Sequence, residues 1–247
     1  MDYRYEKEAA LYEDYASGRV LYNARGATAF PVRLASELIQ RCFAQLESKG
    51  AAGPYSLYDP CCGAGYLLAV AGLMHGSRIR SIRASDIDAA KLEVARGNLS
   101  LLTAEGMQRR KAQLEALAAQ FGKPSHSEAL ASLAKLDELR SRSAIDEIDV
   151  FQANIAAAGA DGSPCARLHG VQIVIADLPY GDLAEWRDAG EDPVRALFDA
   201  RFPALDREAA VVAVVADKKQ KLRHYRYVRL EHMKVGKRQI GLFEPIR

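Results

Sequence analysis

Three short segments of this 247-residue chain carry residue types at spacings that suit chemistry on a small ligand. YDPCCGAGY (58–66) runs from an apolar stretch into a turn that contains Cys61, Gly63 and Gly65. Without a Cβ, the two glycines let the backbone turn sharply and approach a ligand closely. ASDID (84–88) places Asp86 21 positions after Gly65, where an acid ending a second strand accepts ribose hydroxyl hydrogens. Asp88 offers either a second carboxylate there or a cap for the helix that follows. ADLPYG (176–181) ends a fully apolar run with an acid, a proline and an aromatic residue. There the Asp177 side chain and the Leu178 carbonyl can both accept from an amino group on a planar ring. Pro179 fixes the turn, Tyr180 offers a face on which a base stacks, and Gly181 turns the chain away.

The ligand follows from what these residues attract and repel. The third glycine of a dinucleotide fingerprint would fall at position 68, which is Leu68, and this argues against a nicotinamide or flavin cofactor. Asp59 at the start of the glycine turn would repel a diphosphate and suits a cationic group. S-adenosylmethionine has an amino group, a sulfonium and no phosphate. The three segments in this order therefore predict methyl transfer from S-adenosylmethionine to an amine nitrogen held by Asp177. The chemistry is mainly in-line alignment, so no general base of shifted pKa is expected. A paired, stacked base hides that nitrogen, so the target is expected to be flipped or unpaired.

These segments need a sheet to hold them at one edge. SLYD (56–59), IRSIRASD (79–86), VQIVIA within 169–179, AAVVAVVAD (209–217) and QIGLF (239–243) read as strands. They alternate with helical stretches, which predicts an α/β fold with a mostly parallel sheet. PVRLASELIQRCFAQL (31–46) reads as a proline-initiated amphipathic helix within an N-terminal helical segment, 1–50. Residues 103–147 interrupt the alternation with two Ala/Leu/Lys/Glu/Arg-rich halves, predicting a helical hairpin inserted in a single domain spanning 1–247.

Hydrophobic residues make up 49% and charged residues 27%, which excludes a disordered chain. No apolar run reaches a membrane span, and the charged N-terminus has no signal-peptide core. Cys42, Cys61, Cys62 and Cys165 lack metal-type spacing, so reduced thiols, no metal and a cytoplasmic location are expected. The net charge is only +2, yet residues 217–238 hold nine cations against Asp217 and Glu231. With Tyr225 and Tyr227 interleaved, that stretch suits a polyanion. Lys218, Lys219, Lys221, Arg223 and Arg226 are the candidate RNA contacts within it. Arg109 and Arg110 in the insertion form a smaller patch, and Trp186 offers a ring for stacking.

Taken together, D-P-x-C-G-x-G, S-D-I-D and D-L-P-Y-G resemble class I S-adenosylmethionine-dependent methyltransferases that act on exocyclic amino groups of bases. Asp at the first position of D-L-P-Y-G looks more like the guanine-N2 RNA enzymes than the adenine enzymes. AFPVRLASELIQR, LYDPCCGAGYLLAVAGLMH, FGKPS and LEHMKVGKR extend the likeness to the AviRa family of large-subunit ribosomal RNA methyltransferases. That resemblance implies a Rossmann-like seven-stranded fold with helices on both faces, methylation of a guanine in large-subunit rRNA, and resistance to avilamycin. It also implies an acid near the cofactor adenine after the third strand, where this chain has Asn154, whose amide oxygen can accept from the adenine N6. Phe30 and Arg33, around the start of the first helix, stand where the methionine end would be covered, though Phe30 equally suits a helix staple. A monomer is expected. Other readings are an adenine-N6 or protein-glutamine methyltransferase, and a non-catalytic RNA-binding protein with a relic cofactor pocket.

Overall fold

The computed structural model describes residues 2–8, 10–24, 29–154, 164–178, 192–206 and 208–246. One seven-stranded sheet runs through it: β1 (Tyr55–Asp59), β2 (Ile79–Asp86), β3 (Glu147–Gln152), β4 (Ile173–Asp177), β5 (Val211–Asp217), β6 (Tyr227–Val235) and β7 (Arg238–Pro245). Their order is β3-β2-β1-β4-β5-β7-β6, parallel from β3 to β5, with β7 antiparallel to both of its neighbours. The carboxyl ends of β1, β2, β3 and β4 therefore share one sheet edge, where ligands bind in such sheets.

β4 and β5 are buried on both faces, and their uninterrupted apolar runs are legible for that reason. The two outer strands differ. β3 (EIDVFQ) and β6 (YVRLEHMKV) alternate charged with apolar residues, which keeps a sheet edge from pairing with another chain. Much of the basic stretch is thus edge strand β6 and its approach.

Helices cover both faces: α1 (Val32–Glu47), α2 (Tyr66–His75), α3 (Ala89–Ser100), α4 (Ala104–Phe121), α5 (Pro124–Ser141) and α6 (Pro193–Arg201). α4 and α5 are the expected hairpin, closed by Gly122 at φ +59° and restarted by Pro124. The N-terminal segment departs from expectation. Ahead of α1 the described residues form one short helical turn, Glu13–Tyr15. The buried Glu37 carboxylate accepts the backbone N–H groups of Arg4, Tyr5 and Glu6, so this segment is strapped onto α1 instead of coiling.

Strand alternation sorts the core. Leu57, Ile82, Ala84, Ile173, Ile175, Val211, Ala213, Val215, Ile240 and Leu242 pack in the cluster with α1 and α2. Tyr58, Val174, Ala176, Val212, Val214 and Phe243 pack on the opposite face with Leu197 and Phe198 of α6. Continuing the period of two, Asp59, Asp86, Asp177 and Arg238 all lie on the α1 face. Among the described residues no helix is long and apolar enough to cross a membrane, and no cluster could hold a metal ion. All four cysteines are free thiols.

Candidate active site

The glycine turn between β1 and α2 is held by hydrogen bonds from its own sequence. The Cys61 N–H donates to Asp59 Oδ1 (3.0 Å), the Cys62 N–H to the Ser85 carbonyl (2.9 Å) and the Gly63 N–H to Asp86 Oδ2 (2.8 Å). The other oxygen of Asp86 accepts the Asp88 N–H at 3.0 Å. Asp86 thereby ties the first and second motifs together and keeps lone pairs for a ligand. Asp88 does not share that role. Its Oδ1 accepts from the N–H groups of Ala90 and Lys91, so it is the N-cap of α3.

Gly63 (φ +52°) and Gly65 (φ +69°) both adopt the left-handed region, for different ends. A Cβ on Gly63 would meet nothing within 4 Å, whereas one on Gly65 would lie 3.1 Å from Cα and Cβ of Ala95. Gly65 lets α3 close against the turn; Gly63 leaves open space beside Asp86. Replacing Gly65 by Ala is expected to lower stability by about 1–3 kcal/mol in urea unfolding, from backbone strain and overpacking together. Gly63→Ala is expected to cost only the strain, about 1 kcal/mol, yet to weaken S-adenosylhomocysteine binding at least tenfold in calorimetry. An affinity that follows stability in both variants would remove the ligand role of Gly63.

Burial governs the electrostatics. Asp59 is only 2% exposed, and its pKa is pushed up to about 8 by desolvation, reinforced by the Asp86 and Asp177 carboxylates. Asp177 is also raised by burial, to about 6, with the Arg238 guanidinium pulling the other way. Oδ1 of Asp177 is buried without a hydrogen-bond partner among the described residues. Such an acceptor costs about 1–3 kcal/mol if nothing meets it, and it suits a donor on an incoming ligand. The neighbouring Leu178 N–H pairs with the Val215 carbonyl, and the Cys61 thiol donates to the Asp177 carbonyl at 3.6 Å. The open space at Gly63, the acidic rim and the orphaned oxygen fit a cationic ligand with ribose hydroxyls, as S-adenosylmethionine is.

Other expected residues divide. Asn154 follows β3 at the same edge, and the N–H of its neighbour Ala153 donates to the Asp86 carbonyl. Phe30 is buried in the α1-face core, with the Arg238 guanidinium carbon 5.4 Å from its ring centroid. Arg33 is committed elsewhere: it donates to the carbonyls of Glu6 and Lys7 and lies over Tyr3, holding the N-terminal strap instead of a methionine carboxylate. Arg110 likewise donates to the Val20 and Arg19 carbonyls and stacks on Tyr22, so it is structural, while Arg109 pairs with Glu105 on the α4 surface. Lys218, Lys219, Lys221 and Arg223 are exposed after β5, and Arg226 stacks on Phe202 at 3.5 Å. Pro179, Tyr180, Gly181 and Trp186 lie outside the described residues.

Two residues emerge only from the structure. Asn98 of α3, fully buried, donates to the Ala64 carbonyl (2.9 Å) and exchanges hydrogen bonds with the Tyr22 backbone, so it pins the glycine turn to the N-terminal strap. Arg238, the first residue of β7, lies two strands from Asp177 on the same sheet face, and its guanidinium offsets part of the rise that burial causes there. A single Asn in a mixed helix and one Arg among nine cations carry no local signal.

The family model described as rRNA methyltransferase AviRa matches residues 1–238. The 23S rRNA (guanine(2535)-N(1))-methyltransferase of Streptomyces viridochromogenes is 37% identical across 97% of this chain and 94% of its own length. A solved structure of rRNA methyltransferase AviRa from that organism superposes with a TM-score of 0.84, covering 97% of this chain and 95% of that one at 37% identity. The N-terminal domain of human METTL16, solved with SAH, shares the fold alone, at a TM-score of 0.52 and 11% identity over 90% of this chain and 74% of that one. The expected class I methyltransferase fold is the one observed, and the chain belongs to the AviRa family of rRNA methyltransferases.

Proposed function

We propose that this protein transfers a methyl group from S-adenosylmethionine to N1 of a guanine in large-subunit ribosomal RNA. The observation that carries the reading is the buried Asp177 oxygen, without a hydrogen-bond partner among the described residues, at the edge where the glycine turn and Asp86 meet. When bound, the cofactor supplies an electrophilic methyl group. Asp86 takes its ribose hydroxyls, the turn at Gly63 passes beneath it, and its positive charge draws the buried Asp59 carboxyl toward its ionised form.

Guanine presents N1–H and N2–H side by side, and one carboxylate can accept from both. The choice of N1 departs from the exocyclic N2 expected from the motif, and two observations favour it. The 37% identical relative is named for N1. Methylation at N1 also requires a base, since the N1 lone pair becomes available only as the proton leaves. Asp177, raised to about 6 by burial, is basic enough to take that proton and still ionised near neutral pH. Incubation with 23S rRNA followed by mass mapping of nucleosides tests this: N1-methylguanosine is expected, and N2-methylguanosine or a methylated adenosine would set it aside.

The RNA approaches over Lys218, Lys219, Lys221 and Arg223, which are exposed beyond the carboxyl end of β5, next strand to β4. Reversing these four charges is expected to lower rRNA affinity and to flatten its salt dependence by roughly 0.7–0.9 in log–log slope for each phosphate no longer neutralised. An unchanged slope places the RNA elsewhere. Such an enzyme works in the bacterial cytoplasm. The resemblance to AviRa supports a role in avilamycin resistance, expected as a raised inhibitory concentration when the protein is expressed in a sensitive host.

A further inference from the structure

Loss of the N1 proton leaves electron density that spreads onto the guanine O6. A base at N1 is therefore half of what the reaction needs, and a donor at O6 is the other half. The α1 face supplies one. Arg238 opens β7 opposite Asp217 of β5, and Asp177 of β4 pairs with Val215, two residues earlier on β5. Arg238 thus lies two strands from Asp177 and two residues nearer the carboxyl edge. At roughly 4.8 Å between strands and 3.3 Å per residue, an arginine side chain spans much of that separation. Both residues continue the apolar set facing α1, so their side chains leave the sheet on the same side. The guanidinium carbon is 5.4 Å from the ring centroid of Phe30, which is buried just ahead of α1. Its positive charge pulls the Asp177 pKa down against the effect of burial.

We propose that Arg238 is a catalytic residue that donates to the guanine O6, so that Asp177 and Arg238 together grip the base by its Watson–Crick edge. The step balances within that grip. The N1 proton passes to the Asp177 carboxylate, and the N–H electron pair stays on the ring, shared with O6 under the guanidinium. N1 then bonds to the methyl carbon as the carbon–sulfur pair returns to sulfur. The same two residues select the base. Adenine has an amino group where guanine has O6 and no proton on N1, so it offers Arg238 no acceptor and Asp177 no N1–H donor.

This inference rests on the N1 reading, and the test separates the two. The RNA segment carrying the mapped nucleotide is synthesised with guanosine, inosine or adenosine at that place. Inosine keeps O6 and N1–H but lacks the N2 amino group. Wild-type protein is expected to methylate inosine within about tenfold of guanosine and to leave adenosine unmodified. R238Q is expected to lose roughly 10²–10³-fold in kcat on guanosine and inosine alike, with R238K recovering part of it. Calorimetric affinity for S-adenosylhomocysteine and KM for the RNA should stay within threefold. Unchanged kcat in R238Q overturns the O6 role. So does a tenfold loss of S-adenosylhomocysteine affinity, which assigns the guanidinium to the cofactor carboxylate, or a loss confined to KM, which makes it a phosphate contact. Refusal of inosine by the wild type defeats the N1 reading and takes the O6 role with it, however R238Q behaves.

Discussion

Asp177→Asn is expected to reduce methyl transfer by roughly three orders of magnitude while changing S-adenosylhomocysteine affinity less than about threefold. The substitution keeps the size of the side chain and one hydrogen-bond acceptor, and removes only the capacity to take a proton. It separates two mechanisms that an alanine substitution would merge. Were Asp177 an acceptor orienting an exocyclic amine, an amide would preserve much of the rate. As a base for N1–H, it cannot be replaced by an amide. The pH dependence follows with a definite sign. Burial raises the Asp177 pKa to about 6, and the base works only when ionised. The single-turnover rate in the wild type should therefore climb as pH rises through about 6 and level off above it. A rate that is flat from pH 5 to 8, together with an active D177N, would return Asp177 to a merely orienting role.

Asp86→Ala is expected to weaken S-adenosylhomocysteine binding by about 100-fold or more. Two hydroxyl donors to a carboxylate contribute about 1.5–3 kcal/mol each, and the same carboxylate anchors the Gly63 N–H at 2.8 Å and the Asp88 N–H at 3.0 Å. Losing it removes the groups that hold the ligand and loosens the turn beneath it. Asp86→Asn retains acceptors on a neutral group and should fall between wild type and alanine. By contrast, Asp88→Ala removes the α3 cap and should cost about 1 kcal/mol of stability with little effect on affinity. Calorimetry on the three variants, with urea unfolding alongside, reads both quantities. Equal affinities in wild type and D86A would detach the second motif from the cofactor.

What is legible in the sequence follows from where each signal is stored. β4 and β5 announce themselves because strands buried on both faces must be continuously apolar. The glycine turn is legible because its left-handed backbone demands glycine, and Asp86 because it ends a strand at the spacing expected of a ribose-binding acid. β6 is hidden by its own charges, since an edge strand needs no apolar run. The N-terminal segment misleads because its fold is fixed by the distant Glu37 carboxylate, which no local helical pattern encodes. Arg33 and Arg110 stand near the expected places, and the carbonyls that capture them belong to segments 20 or more residues away. Asp88 reads equally as ligand or cap by its spacing, and only the α3 N–H groups on its carboxylate decide between them. Arg238 and Asn98 matter through the strands and helices beside them, a relation that sequence spacing does not carry. The proton chemistry proposed for Asp177 is invisible in the motif for a related reason: burial, which raises its pKa, belongs to the packed sheet.

The most direct test of the site is a crystal structure of the protein with S-adenosylhomocysteine bound. Ribose hydroxyls on the Asp86 carboxylate, adenosine passing over Gly63 and the sulfur facing Asp177 are expected. Adenosine bound away from Asp86, or a sulfur turned from Asp177, would contradict the reading of this edge as the methyl-transfer centre.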